Sequence, residues 1–196
     1  YSSVITKYDN KDKTFAKDYY EGMHIGEIWG FVTDGLFKST EEAQAYAKEV
    51  DLSYMGKGLT GGWQAGDVKF LDIDGSGDIG IGQNTVDNPG DRKKLGNSLP
   101  SFSYGINASI RWCGVDVSAL FQGTGNHYWY PSGQSMPFWG PYSYPYMTFL
   151  QDNFLDNVWS EDNPNAYFPR AMAYLTTGGY LKNINDRYIQ FIRYLR

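Results

Sequence analysis

The stretch Ser101–Trp112, SFSYGINASIRW, decides the fold. Phe102, Tyr104, Ile106, Ala108, Ile110 and Trp112 alternate without a break with Ser101, Ser103, Gly105, Asn107, Ser109 and Arg111. Successive side chains of a strand point to opposite faces, so this period of two predicts a strand with one apolar and one polar face. A tilted strand crosses a bilayer in roughly 9–11 residues, close to the length of this stretch. Cys113-Gly114 follows as a tight turn. Val115, Val117, Ala119 and Phe121 then resume an apolar face against Asp116, Ser118 and Gln122, with Leu120 out of pattern. Residues 101–122 are therefore a predicted β-hairpin.

Moving outward, the chain after Gly125 is long, irregular and crowded with rings, among them Trp129, Trp139, Tyr142 and Tyr144. A loop of that length is unusual inside a compact domain and ordinary at the outer rim of a membrane barrel. A short helix is expected near Tyr146–Val158, and a last strand over Arg187–Leu195. Upstream, Ile25–Phe37 (IGEIWGFVTDGLF) is strand-like, with a turn at Thr33-Asp34-Gly35. The clearest helix begins at Ser39 or Thr40, carries Glu41 and Glu42 in its first turn, and ends near Val50. A weak strand is expected over Ser3–Tyr8.

The composition agrees with this reading. The chain has 196 residues, 17% aromatic, with Tyr 17, Phe 11, Trp 6 and Gly 23, yet its mean hydropathy is −0.50. Rings in a polar, glycine-rich chain suit sugar-binding surfaces or outer-membrane barrels, where one end of the ring is apolar and the other wet. The net charge of −5 and the absence of a basic stripe argue against nucleic acid as a partner. The single cysteine, Cys113, excludes an internal disulfide. No apolar run is long enough for a transmembrane helix, a test that barrel strands escape because they alternate. No signal peptide opens the chain, so an exported protein would be represented here by a mature or internal segment.

Five segments occur in the order seen in one transporter family. They are Ile25–Phe37, Gly66–Ile79 (GDVKFLDIDGSGDI), Leu95–Gly105 (LGNSLPSFSYG), Val115–Gly125 (VDVSALFQGTG) and Trp159–Arg170 (WSEDNPNAYFPR). From about Glu21 onward the chain resembles the C-terminal half of SusC/RagA-family TonB-dependent outer-membrane transporters. The resemblance implies an all-β fold: part of a large transmembrane β-barrel of about 22 strands with long extracellular loops and one or two short loop helices. Wall strands are expected near 25–33, 101–112, 115–122 and 187–195, and extracellular loops near 36–98 and 125–186, with the plug domain absent from these residues. Phe102, Tyr104, Ile106 and Ile110 would face outer-membrane lipid, and Trp112 would join an interface girdle. The resemblance also implies a SusD-like lipoprotein partner, energy through TonB, a glycan or peptide substrate and a Bacteroidetes source. It implies no enzyme activity.

Three groups of residues are candidate sites. Asp72-Ile73-Asp74-Gly75-Ser76-Gly77-Asp78 matches the front half of a calcium loop. Asp72, Asp74 and Ser76 would supply oxygens, Gly77 the sharp turn and Asp78 its carbonyl, making a structural Ca2+ site. Gln83 stands where an EF-hand has its bidentate Glu, so Asp87 or Asp91 would have to substitute. The same residues also suit an ion-free Asp/Gly turn. Trp129, Trp139, Tyr142 and Tyr144 are candidate sugar-stacking rings, or else pack the loop against itself or against a lipoprotein partner. Arg170 is expected to hold a nearby carboxylate such as Asp162. His24 and His127 lack ligand spacing for zinc, and neither G-x-S-x-G nor a P-loop is present. Cys113 is read as incidental, and a glycoside hydrolase ranks lowest for want of a motif. A secreted, calcium-stabilised carbohydrate-binding β-domain is the competing reading, and it requires a second sheet over the Phe102 face.

Overall fold

The computed structural model describes residues 3–56, 59, 61–148, 150 and 152–195. Along the chain lie β1 (Glu27–Phe31), β2 (Thr33–Leu36), α1 (Thr40–Glu49), β3 (Val68–Phe70), β4 (Arg92–Asn97), β5 (Phe102–Trp112), β6 (Val115–Trp129), α2 (Met136–Trp139), β7 (Val158–Trp159), β8 (Phe168–Arg170) and β9 (Gln190–Leu195). Sheet dominates and the helices are few.

The alternating stretch forms β5, and its ladder with β6 is antiparallel and without a register shift from Phe102↔Gly125 to Trp112↔Val115. Residues directly opposite in such a ladder share a face. Ile106 therefore lies beside Phe121, Ala108 beside Ala119 and Ile110 beside Val117, while Asn107, Ser109 and Arg111 face the other way with Leu120, Ser118 and Asp116. Leu120 is the one large apolar side chain on the polar face. Across the end of that face, Arg111 Nη2 donates to Asp116 Oδ2 at 2.9 Å. Cys113 and Gly114 close the hairpin with φ of 48° and 80°, the left-handed pair that matches the twist of the strands. β6 continues to Trp129, beyond the Gln122 expected. Its upper part pairs antiparallel with β9, from Gly123↔Leu195 to Trp129↔Gln190. The last strand thus begins at Gln190 rather than Arg187.

The rest of the chain folds into a lobe at the open end of the hairpin. The segment expected as a strand near 25–33 contains β1, paired with β4, and β2 begins at its last residue and pairs with β3 in a separate sheet. The reason is burial: Phe31, Val32, Val68 and Phe70 all turn into the lobe. The turn expected at Thr33-Asp34-Gly35 lies within β2, where Gly35 at φ 71° accompanies a register shift. Helix α1 starts at its predicted cap, Ser39, whose Oγ accepts the Glu42 N–H at 3.1 Å, and Glu42 in return accepts the Lys38 N–H. Near Tyr146–Val158 the described residues contain one 3-10 turn, Leu155–Asn157, in place of the helix expected, and the unforeseen short helix is α2. Ser3–Tyr8 contributes an isolated bridge, Val4↔His24, and no strand.

The two long segments expected as separate loops share one core. Met55, Val68, Phe70 and Ile79 come from the first and Trp139, Tyr142, Phe168 and Tyr180 from the second, and Phe31 and Tyr188, from segments expected as wall strands, join them. Trp63 stacks on Tyr180 with ring centroids 5.5 Å apart. The Phe31 N–H donates to Ile184 O and the Asp186 N–H to Phe31 O. Gly66, at φ 82°, lies so close to Trp159 that a Cβ would sit 2.4 Å from the indole. Only glycine tolerates both that backbone and that approach.

Candidate functional site

Asp67, in the turn before β3, and Arg170, at the end of β8, hold the lobe together. The Asp67 side chain is fully buried, and Arg170 Nε reaches its Oδ1 at 2.7 Å. Gln64 N–H donates to the other carboxylate oxygen, and Tyr180 Oη lies 3.3 Å from Oδ1. Burial is the larger influence and raises the Asp67 carboxyl, while the hydrogen bonds from Arg170 and Gln64 act against it. The expected Arg170 partner, Asp162, is replaced by an acid 103 residues away in sequence. No local pattern marks that pair. A second hub is Glu27, whose carboxylate accepts Lys94 Nζ at 2.6 Å, the His24 N–H at 3.0 Å, Tyr20 Oη at 2.5 Å and Trp29 Nε1 at 3.2 Å. Burial would raise this carboxyl, but the four donors outweigh burial and hold it below its usual value.

The Asp72 turn hangs from the end of α1, where Asp51 N–H donates to Gly77 O and Ile79 N–H to Asp51 O. Asp72 accepts N–H groups of Gly75, Ser76 and Gly77, and Asp74 accepts that of Ser76. Ser76 Oγ donates to the Asp78 carbonyl. One carboxylate oxygen each from Asp72, Asp74 and Asp91 lie within 4.8 Å of one another. The Asp78 carboxylate is outside that group. Asp91 is buried, and burial, with the charges of Asp74 and Asp72, pushes its carboxyl up against the lowering effect of the N–H groups of Gly80 and Ile73 that it accepts. A hard cation is bound by clustered carboxylate oxygens of this kind, and it would relieve the repulsion among them.

The four candidate rings divide. Trp139 and Tyr142 are buried. Trp139 Nε1 donates to Pro131 O and Ser132 O, and Tyr142 Oη to Pro169 O at 2.6 Å. Phe168 covers the Tyr142 face at 5.8 Å, and Tyr188 packs against Trp139 at 5.1 Å. Neither ring has a face open to a sugar, because both are committed to the lobe core. Trp129 is exposed at the top of β6 and Tyr144 is half-buried. Beside Tyr144 lie the exposed rings of Tyr146 and Tyr174, with centroids 6.3 Å and 6.4 Å away.

The hairpin is a different surface. Every residue of β5 is exposed. Ile106 is 60%, Ile110 66% and Trp112 74% exposed. No described helix is long and apolar enough to cross a membrane.

No family model matches the chain. Over 102 residues, 52% of its length, the chain is 28% identical to the TonB-dependent receptor P3 of Formosa agariphila. That stretch is 8% of the receptor, so the chain spans a small part of the curated relative it matches. The similarity supports the TonB-dependent receptor family at large.

Proposed function

We propose that this chain is wall and outer loop of an outer-membrane TonB-dependent transporter of the SusC/RagA type. The observation that carries the reading is the hairpin: eleven residues of β5 with one apolar face left bare and a polar face opposite. A barrel wall needs that pattern, with lipid on one side and a wet lumen on the other. Paired wall strands also satisfy their own backbone groups within the bilayer. β6 and β9 form a second wall pair whose connection is the lobe, and Cys113-Gly114 is the short turn on the periplasmic side. The lobe stands outside the cell.

A SusD-like lipoprotein would close over the exposed rings of Tyr146 and Tyr174 beside Tyr144, since exposed apolar surface of this kind marks an interaction site. Trp129 and Tyr144 are the rings left free to touch a glycan or peptide. Calcium would sit among Asp72, Asp74 and Asp91, with Ser76 and the Asp78 carbonyl completing the turn. The competing secreted sugar-binding domain needs the Phe102 face covered, and no described element covers it.

Fractionating the source cells tests the reading. The account expects a large outer-membrane band that reacts with an antibody to this segment and co-purifies with a lipoprotein. A soluble band near the 22.2 kDa of this chain overturns it. For the metal, the lobe of the whole receptor should melt higher in calcium than in chelator, and Asp91→Asn should remove the difference. Identical melting of the unaltered receptor in both conditions dismisses the ion.

A further inference from the structure

Where the hairpin meets the lobe, one cation lies on a surface of rings. Phe102, Tyr104, Thr124, Gly125, Asn126, Phe191 and Arg193 line an open groove of about 480 Å³. Gly125 makes the groove possible: the Phe102 ring lies where its Cβ would be, 2.3 Å away. Its neighbour on the same face of β6, Gly123, stands opposite Tyr104 and likewise adds no side chain. Phe102 and Tyr104 stack at 6.2 Å, and Phe191 packs on Tyr128 at 4.9 Å. The Arg193 guanidinium lies 4.7 Å from the Phe191 centroid. Among the described residues Arg193 has no ion-pair partner, and none of the groove residues is acidic. Below the groove runs the apolar strip of Ile106, Phe121, Ile110 and Val117.

We propose that this groove seats the phosphate of an anionic lipid of the outer leaflet on Arg193, with an acyl chain lying down the Ile106–Val117 strip. The inference rests on the wall reading above, which puts the groove at the outer boundary of the hydrocarbon. Charge complementarity selects the occupant. An unpaired guanidinium at that depth seeks the phosphate level, where rings also sit. A guanidinium binds phosphate through two parallel N–H bonds, which lysine does not reproduce. The rings and the strip offer the apolar contact that a free anion lacks.

The test uses the whole receptor, purified from the outer membrane in detergent, stripped of lipid and titrated with lipid A in a native mass spectrometer. Arg193→Gln is expected to weaken the tightest lipid A adduct about tenfold, the scale of one charge-assisted contact. Arg193→Lys should fall between it and the unaltered receptor. Phosphatidylcholine should not compete, and inorganic phosphate should not displace the adduct at equal concentration. Equal lipid A binding by all three proteins overturns the proposal, as happens if an acid on a neighbouring strand already neutralises Arg193. Displacement by inorganic phosphate overturns it too, leaving a simple anion site. A receptor present in the outer membrane but indifferent to Arg193→Gln removes this inference alone. A chain recovered in the soluble fraction removes the wall reading with it.

Discussion

In the lobe, Phe168 is ringed by Phe138, Trp139, Tyr142, Phe154, Tyr167 and Tyr188. In the hairpin, Ile106 and Phe121 sit side by side and both stay exposed. The two regions draw on similar apolar residues. The lobe removes its own from water by packing loop against loop. The hairpin leaves every large side chain of its apolar face exposed, and an outside apolar phase would stabilise it, since each large side chain placed in one gains about 1.5–3 kcal/mol. Under the proposed wall reading, the two regions have different solvents: water around the lobe, lipid beside the hairpin.

That contrast can be broken at either end. The largest effect is expected from Trp139→Ala. It should cost the lobe about 3–5 kcal/mol and open the 130–189 segment to protease, while leaving the proposed wall of the whole receptor intact. Simultaneous loss of the wall would mean that the two regions are one cooperative unit. Next in size, Ile106→Arg should cost about 2–4 kcal/mol in the bilayer and lower the folded yield in the outer membrane. Asn107→Arg, one residue along on the polar face, should be tolerated. Equal tolerance of both would put water on both faces.

A smaller effect sharpens the description of the lobe. The folded Glu27 carboxyl lies below its usual value of 4.5. Its stabilising contribution is therefore complete above about that pH and is lost as the pH falls through the lower folded value. Hydrogen exchange at the Trp29 indole should accelerate over that acid range, and Glu27→Gln should flatten the dependence. An unchanged profile in the variant would remove Glu27 as the holder of β1.

The hairpin was legible because its signal is local. Period-two alternation and a two-residue turn need no distant information, and Ser39 with Glu42 announces α1 just as locally. Gly123-Thr124-Gly125 hid the extension of β6, because glycines read as a break when their partner strand, β9, is some 65 residues further along. The lobe core was not legible. Phe31, Met55, Phe70, Tyr142 and Tyr188 meet from segments with no shared period, so the sequence favours packing over a platform for Trp139 and Tyr142 without showing what they pack against. Arg170 was recognised as a residue holding a carboxylate, but not as the partner of Asp67, since only the tertiary fold brings them together. The Asp72 turn is visible as a motif, and Asp91 is one of the acids the sequence offers to complete it. Its closeness to Asp72 and Asp74 became evident only in the folded chain.

The central claim is that the Cys113 turn and the lobe lie on opposite sides of the outer membrane. Cys113 is exposed and is the chain's single cysteine, so a bulky, membrane-impermeant maleimide can report on it in the whole receptor, with cysteines elsewhere replaced. The account predicts no labelling of Cys113 in intact cells and full labelling once the outer membrane is disrupted, whereas Tyr146→Cys in a Cys113→Ser background labels in intact cells. Labelling of Cys113 in intact cells, to the same extent as the lobe position, would contradict it.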